Sequence, residues 1–299
     1  MMLKNFGQME QFVREQSGKK RVALAAAHDA DALGSLMMAV DRGIAEAILI
    51  GRRKEIVRVL DEMGKDAGDF RIIEEADDRA AADKAVELVH CGEADMPMKG
   101  LMHTSTFMKA ILDKEKGLKE DGNLLSQASV FEIPEKDRFL ISSDCAVNID
   151  PDLETKIKIT ENAATLAHTL GIEQPKIAVL SAVEVVNPKI RSTVDAAAMR
   201  ERLSDRYLID GPLALDNAID EAAAHHKGIE SPVAGNADIL IVPDLWSGNI
   251  FSKGLVFFAH LRSAGTLNGL KAPVVMSSRT DTVENKYLSI LTAVLQTIR

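Results

Sequence analysis

The sequence predicts an α/β protein of two domains, with mainly parallel sheets covered by helices on both faces in a three-layer αβα arrangement. Three observations carry this. Short β-branched apolar runs alternate with helix-length stretches through most of the chain, the rhythm of parallel strands joined by crossover helices. The residues are 46% hydrophobic but only 4% aromatic, so Ala, Val, Ile and Leu must build the core, as suits aliphatic strands and Ala-rich helices. A chain of 299 residues also exceeds one typical compact core.

Residues 1–18 read as a short amphipathic helix, and Arg21 to Ala27 as a first strand ending at His28-Asp29. A helix over Ala32 to Arg42, the strand Ala47 to Ile50, a charged helix and the strand Phe70 to Ile73 continue the alternation. The Ala-rich helix Asp78 to His90 and the segment Ala94 to Met98 lead into the loop and helix of KGLMHTSTFMKAIL. The rhythm breaks between Gln127 and Asp144, where two strand-like runs are joined only by the turn PEKD and must therefore be antiparallel. This hairpin marks the second domain, residues 127–267, after a first domain of residues 1–126 to which 268–299 return. Beyond it come a helix over Leu153 to Leu170, the strand Lys176 to Leu180, a helix in 189–203, the strand Tyr207 to Ile209 and a helix over Ala214 to His226. Ile239 to Val242 is a strand with no charge, followed by a helix over Ile250 to Leu261; the strand Pro273 to Met276 and a helix over Val283 to Ile298 close the order.

Composition excludes several classes. A net charge of −9 argues against nucleic acid as a partner, because phosphate backbones call for clustered Lys and Arg. No basic-then-apolar leader and no apolar run near twenty residues is present, so the expectation is a cytoplasmic protein without a membrane partner. Cys91 and Cys145 are too few and too isolated for a disulfide framework or a structural zinc site, and read as buried free thiols. Neither G-x-G-x-x-G nor a P-loop nor a G-x-S-x-G elbow occurs, which weakens nucleotide-binding and serine-hydrolase readings.

The chemistry gathers at predicted strand ends. After Ile239 to Val242 come Pro243, Asp244, Ser247 and Gly248, read as a tight turn, and Asn249, read as a helix cap, with Lys253 beyond. Such strand–loop–helix units point polar groups into the crevice at the carboxyl end of a sheet. His28-Asp29, Ser142 to Asn148, Ser181, Asp210 to Pro212 and Ser277 to Asp281 end the other strands. Arg279, in the turn SSRTDTVENK, suits an anion clamp or an oxyanion donor, with Asp281 in reach; alternatively the two form a solvated turn in which Asp281 or Thr282 caps the last helix. His103 and Thr104 sit where a loop enters a helix, and His103 reads equally as a structural histidine. Asp216 and Asp220 lie one helical turn apart, a spacing that can chelate a cation but more commonly marks an exposed face. No metal site is expected.

Taken together, Lys99-Gly100 with His103-Thr104, DCAVNIDPD at 144–152, KIAVLS at 176–181, DGPLALDNAI at 210–219, SPVAGNADILIVPDLWSGNIFSK at 231–253 and APVVMSSRTDTVENK at 272–286 resemble the phosphate acetyl/butyryltransferase family, its butyryl-type branch above all. The resemblance spans nearly the whole chain in order. It implies a fold like that of isocitrate and isopropylmalate dehydrogenases, an active-site cleft between the domains, and reversible acyl transfer between coenzyme A and inorganic phosphate. Coenzyme A is then a co-substrate, no cofactor is held permanently, and a homo-oligomer of two or more copies is expected. By the same resemblance Ser278, Arg279 and Asp281 are the catalytic candidates, Asn148 joins His103, Thr104 and the 244–253 residues around the substrate, and Ser231, Pro232, Val233 and Gly235 are the coenzyme A segment. Acetyl-type relatives carry, six residues after the Arg, an Asp proposed as the base for the thiol; here that position is Asn285. They also carry Cys where this chain has Asp281. Two other readings stay open: a non-catalytic acyl-CoA-binding module of the same fold, and a metal-dependent decarboxylating dehydrogenase.

Overall fold

A computed structural model describes residues 1–299 apart from Ser17 and Asp121. In chain order the first elements are α1 (Phe6–Glu15), β1 (Lys20–Ala25), α2 (Ala30–Asp41), β2 (Ala45–Gly51), α3 (Arg53–Glu62), β3 (Arg71–Glu74), α4 (Asp78–His90), β4 (Met96–Lys99) and α5 (Thr104–Ile111). Next come β5 (Ser126–Ile133), β6 (Arg138–Ser143), α6 (Leu153–Thr169), β7 (Lys176–Leu180), α7 (Arg191–Leu203), β8 (Leu208–Leu213) and α8 (Leu215–Ile219). The last are α9 (Glu221–His226), β9 (Ile239–Ile241), α10 (Leu245–Phe257), β10 (Ser263–Asn268) and α11 (Val283–Gln296). The chain divides into two compact units: a split unit of residues 6–123 and 264–299, and an inserted unit of residues 1–5 and 124–263.

In the split unit four parallel strands are ordered β3-β2-β1-β4. Val22, Leu24, Met96 and Met98 are sealed from solvent, as a parallel sheet covered on both faces requires. Helix starts are fixed by acidic caps: Asp77 accepts from Ala80 N at 2.9 Å, and Asp29 from Ala32 N at 3.3 Å. α11 packs on α1 and α2, its Tyr287 hydroxyl donating to Glu10 at 2.8 Å beneath the Arg42 guanidinium, 4.7 Å from the ring centre. The expected strand Pro273 to Met276 does not form. Only isolated bridges, Met98 to Val275 and Leu267 to Val274, occur there. The strand in this region is β10, whose SAGTLN sequence lacks the aliphatic run that marks the others.

In the inserted unit the strands are ordered β5-β6-β9-β7-β8, with the β5–β6 hairpin antiparallel and the remaining pairs parallel. Leu140, Ala178, Leu180, Leu213, Val233, Leu240 and Val242 form one buried cluster on this sheet. Asp210-Gly211-Pro212, expected as a loop, are part of β8. β8 is the edge strand of the sheet, where a proline without a donor is tolerated. The expected helix over Ala214 to His226 is two helices, because Asp220 adopts extended angles and accepts from Ala223 N at 2.7 Å, restarting the turn. Asp216 and Asp220 therefore do not share a helix face, and Asp216 pairs with Lys227 at 3.3 Å. Among the described residues no cluster of His, Cys, Asp and Glu fits a metal ion. No helix of the described residues is long and apolar enough to cross a membrane.

Candidate functional site

Strand order selects where each unit can hold a ligand. In the split unit the chain runs outward from β1 to β2 and β3, then returns to place β4 on the other side of β1, so the order reverses between β1 and β4. In open α/β sheets the carboxyl ends of two such strands border the place where ligands bind. Three segments are stitched together at this point. Gly100 N donates to Ala25 O at 2.8 Å, Leu101 N to Ala26 O at 3.2 Å, and Lys99 N to Val275 O at 3.0 Å. Gly100 is needed by closeness: a Cβ there would lie 2.3 Å from Ala26 O.

The stitching brings Arg279 to His103, with Nη2 3.4 Å from Nδ1. A guanidinium has only donors, so Nδ1 must be the acceptor. His103 is the N-cap of α5 and makes no side-chain cap bond, which leaves the first amides of a helix open beside a guanidinium, a setting that attracts anions. The Arg279 loop is held from within. Ser278 N donates to Asp281 Oδ2 at 2.7 Å, Ser278 Oγ lies 3.0 Å from Thr280 Oγ1, and Thr282 caps α11 by accepting from Asn285 N at 3.1 Å. The buried Lys286 ammonium donates to the carbonyls of Asp281 and Arg279. Sequence reasoning placed Ser278, Arg279, Asp281, His103 and Thr104 here but assigned no role to Lys99 or Lys286. A lysine ending the buried strand MPMK was the available signal for the first. Burial, and next the charge of Arg279, lower the proton affinity of Lys99.

The inserted unit has its own crevice, at the carboxyl ends of β7 and β9. A cavity of about 470 Å³ is lined by Leu180, Val242, Pro243, Leu215 and Phe251 on its apolar side and by Lys156, Arg191 and Asp244 among its polar groups. Lys156 is buried against Asp195 at 2.6 Å. Asp195 also meets Arg191 Nε at 3.4 Å, and Asp150 meets the Arg191 Nη1 at 3.3 Å. Ser181 and Ser247 complete the rim.

The local structure expected of Asn249 and Gly248 changes in this unit. Asp244, not Asn249, caps α10, accepting from Ser247 N at 2.8 Å. Asn249 lies inside the helix and donates to Cys145 O at 3.2 Å. Gly248 is helical rather than a positive-φ turn residue; its Cβ would meet Asp144 O at 2.6 Å, so close packing is what requires glycine. Lys253 is exposed one turn further on. Asn148 Nδ2 donates to Asp144 Oδ2 at 2.6 Å and Leu125 O at 3.0 Å, while Asp144 also accepts from the amides of Ala146 and Val147, so this loop is organised around its own carboxylate. The 231–235 turn is similarly committed. Ser231 Oγ accepts from Val233 N at 3.1 Å, Val233 is 0% exposed in the core, and Gly235 has φ +80. Pro232 lines a different surface pocket, with Val186 and Asp210.

Cys91 is exposed, against expectation, because it caps the end of α4; Cys145 is buried. Burial pushes the Cys145 thiol up to about 12, which keeps it protonated at neutral pH. A thiol in that state is a poor acyl carrier.

The family model described as phosphate acetyl/butaryl transferase matches residues 69–294. The chain is 46% identical to a phosphate butyryltransferase of Clostridium acetobutylicum, over 98% of both chains. It is 42% identical to a phosphate acetyltransferase of Thermotoga maritima, over 94% of this chain and 97% of that one. A branched-chain phosphotransacylase from Enterococcus faecalis V583 superposes with a TM-score of 0.83 at 35% identity, covering 93% of this chain and 98% of the other. In fold alone the chain also resembles 4-hydroxythreonine-4-phosphate dehydrogenase from Klebsiella pneumoniae, with a TM-score of 0.56 at 12% identity over 92% of this chain and 98% of that one, so the dehydrogenase-like α/β architecture expected from the sequence is present.

Proposed function

Because the chain belongs to the phosphate acetyl/butyryltransferase family, we propose that it transfers a short acyl group, butyryl in preference to acetyl, between coenzyme A and inorganic phosphate. The observation that carries the reading at the level of residues is the Arg279–His103 pair beside the uncapped start of α5. That is a place for the phosphate of an acyl phosphate. The reaction needs a coenzyme A thiol, with a solution pKa of ~8.5 by analogy with cysteine, to lose its proton and attack the acyl carbonyl while phosphate leaves. Arg279 stabilises the negative charge gathering on the carbonyl oxygen and the departing phosphate, and Ser278, Thr104 and the α5 amides supply neutral donors. Asp281 is the carboxylate available to take the thiol proton, though its Oδ2 already accepts from Ser278 N. The inserted unit's own cavity has apolar walls with Arg191 at its rim, and Asp244 and Ser247 belong to it. No permanently bound cofactor enters this scheme.

Steady-state release of coenzyme A from acetyl-, propionyl-, butyryl- and isobutyryl-CoA with phosphate tests the reading. Two further buried methylenes at about 0.8 kcal/mol each favour butyryl over acetyl by roughly tenfold in kcat/KM. Equal or better turnover of acetyl-CoA would assign the acetyl activity instead, that of the Thermotoga enzyme to which the chain is 42% identical. Absence of any release would leave a binding module.

A homo-oligomer is part of the proposal. α10 bares Trp246 and Ile250, 59% and 73% exposed, and Phe258 follows at 91%. Lys253 is the one charged side chain in that helix, so a second copy, offering the same apolar face about a two-fold axis, fits it better than a charged partner. Light scattering should give a multiple of 32.5 kDa for the wild type and a smaller mass for Ile250→Glu. A monomeric wild type would remove the oligomer.

A further inference from the structure

Lys99 ends β4 with only 4% of its surface exposed. Its ammonium has three donors, and the bond it makes among the described residues is a 3.2 Å one to the carbonyl of the next residue, Gly100. A lysine buried for structure normally ends on a carboxylate, as Lys156 does on Asp195 at 2.6 Å. No ion pair fixes Lys99 among the described residues. The groups that act on it are Arg279 and Lys286, which repel its charge, and Asp29 and Asp281, which favour it. His103 meets Arg279 at 3.4 Å. The backbone leaves little freedom for this arrangement, since Lys99 N is bonded to Val275 O, four residues before Arg279, and Gly100 is locked against Ala25 and Ala26.

We propose that the Lys99 ammonium is a phosphate-binding residue, meeting the oxygens of inorganic phosphate in one direction of transfer and those of the acyl phosphate in the other, beside Arg279. The proposal rests on the transferase reading above. Arg279 acts on Lys99 more strongly than either Asp29 or Asp281, so the two cations oppose each other until a dianion arrives, and its arrival favours both. The same logic fixes the sign of the stability effect. In the folded chain Lys99 binds its proton less readily than when unfolded, so the penalty is full below the folded value and fades as pH rises through it. Removing the amine therefore does not lower stability in phosphate-free buffer at neutral pH.

The test compares wild type, Lys99→Met and Lys99→Arg by calorimetric titration with inorganic phosphate, by thermal melting with and without phosphate, and by steady-state kinetics with butyryl-CoA. Expected for Lys99→Met are a tenfold or greater loss in phosphate affinity and a matching rise in phosphate KM. The butyryl-CoA KM should stay within twofold, the melting temperature without phosphate should be no lower than that of wild type, and the rise on adding phosphate should shrink. Lys99→Arg should recover part of the phosphate affinity. Unchanged phosphate affinity in a folded Lys99→Met protein overturns the proposal. So does a fall in kcat at constant phosphate KM that recovers as pH approaches the thiol pKa, which would make Lys99 the base. Equal unfolding of both variants would make it structural and overturn the proposal as well. If wild type itself releases no coenzyme A, the transferase reading fails, whereas the phosphate titration still decides Lys99.

Discussion

Arg279→Ala is expected to lower kcat by ~10²-fold or more while coenzyme A affinity changes little, since a group that acts on charge developing during transfer is missed mainly in the transition state. The local structure makes this a clean experiment. Arg279 is exposed, and its loop is held by the Ser278–Asp281 bond, by Thr282 at the start of α11 and by Lys286 binding backbone carbonyls, none of which uses the guanidinium. Its loss should therefore cost rate without unfolding the protein. Arg279→Lys should restore only part of the rate, because a point charge cannot reproduce the planar fork that binds two oxygens at once. Asp281→Asn separates two roles in the same loop: an amide oxygen can still accept from Ser278 N, so a structural role leaves kcat near wild type with a flat pH response. A base would instead lose most at neutral pH and recover towards the thiol pKa. A near-wild-type Arg279→Ala enzyme would remove the proposed site.

Gly100→Ala should be strongly destabilising. The added carbon would sit 2.3 Å from Ala26 O and 2.6 Å from Ala25 O, and both are backbone atoms that cannot rotate away. Overpacking against such neighbours costs about 1–3 kcal/mol or more, a large part of ordinary domain stability. The damage also falls on function, since the segment pushed outward carries Lys99 and His103. Urea unfolding with a midpoint shifted by that amount, and a raised phosphate KM in whatever remains folded, are the expected results. A midpoint equal to that of wild type would show that the two loops separate at little cost.

What was legible in the sequence follows from which signals are local. Parallel alternation and the PEKD hairpin could be read because aliphatic runs and turn lengths are properties of a few adjacent residues. β10 was missed, and a strand was placed at 273–276 instead, because SAGTLN has little apolar content and PVVM has much, whereas pairing partners decide which one extends. Gly248 was noticed for the wrong reason: the need for glycine comes from Asp144, more than a hundred residues away. The candidate site divided the same way. Arg279, His103 and Asp281 stood out as polar residues at loop ends, and their proximity could not be seen until β4 and residues 274–275 were placed side by side. Lys99 hid in a strand because burial of a charge is a property of the folded surroundings. In the 231–235 segment Ser231 and Gly235 make a turn around a core valine, a burial that the sequence did not show.

The interrupted make-up of the split unit has a consequence for how the protein comes into being. Residues 6–123 leave the ribosome before the 140 residues 124–263, and only then do residues 264–299 follow. At about 5–20 residues per second this is a wait of roughly 7–30 s. For that interval α1 and α2 have no α11 to pack against, although in the finished fold residues 285–295 of that helix are all buried. The inserted unit, apart from its contribution from residues 1–5, is made in one uninterrupted stretch and can mature first. The newborn chain therefore carries an unfinished apolar surface next to a finished unit, and the residues that complete that surface arrive in the same final segment as Arg279. Until then a folding chain has neither the buried helix α11 nor the loop that carries Arg279.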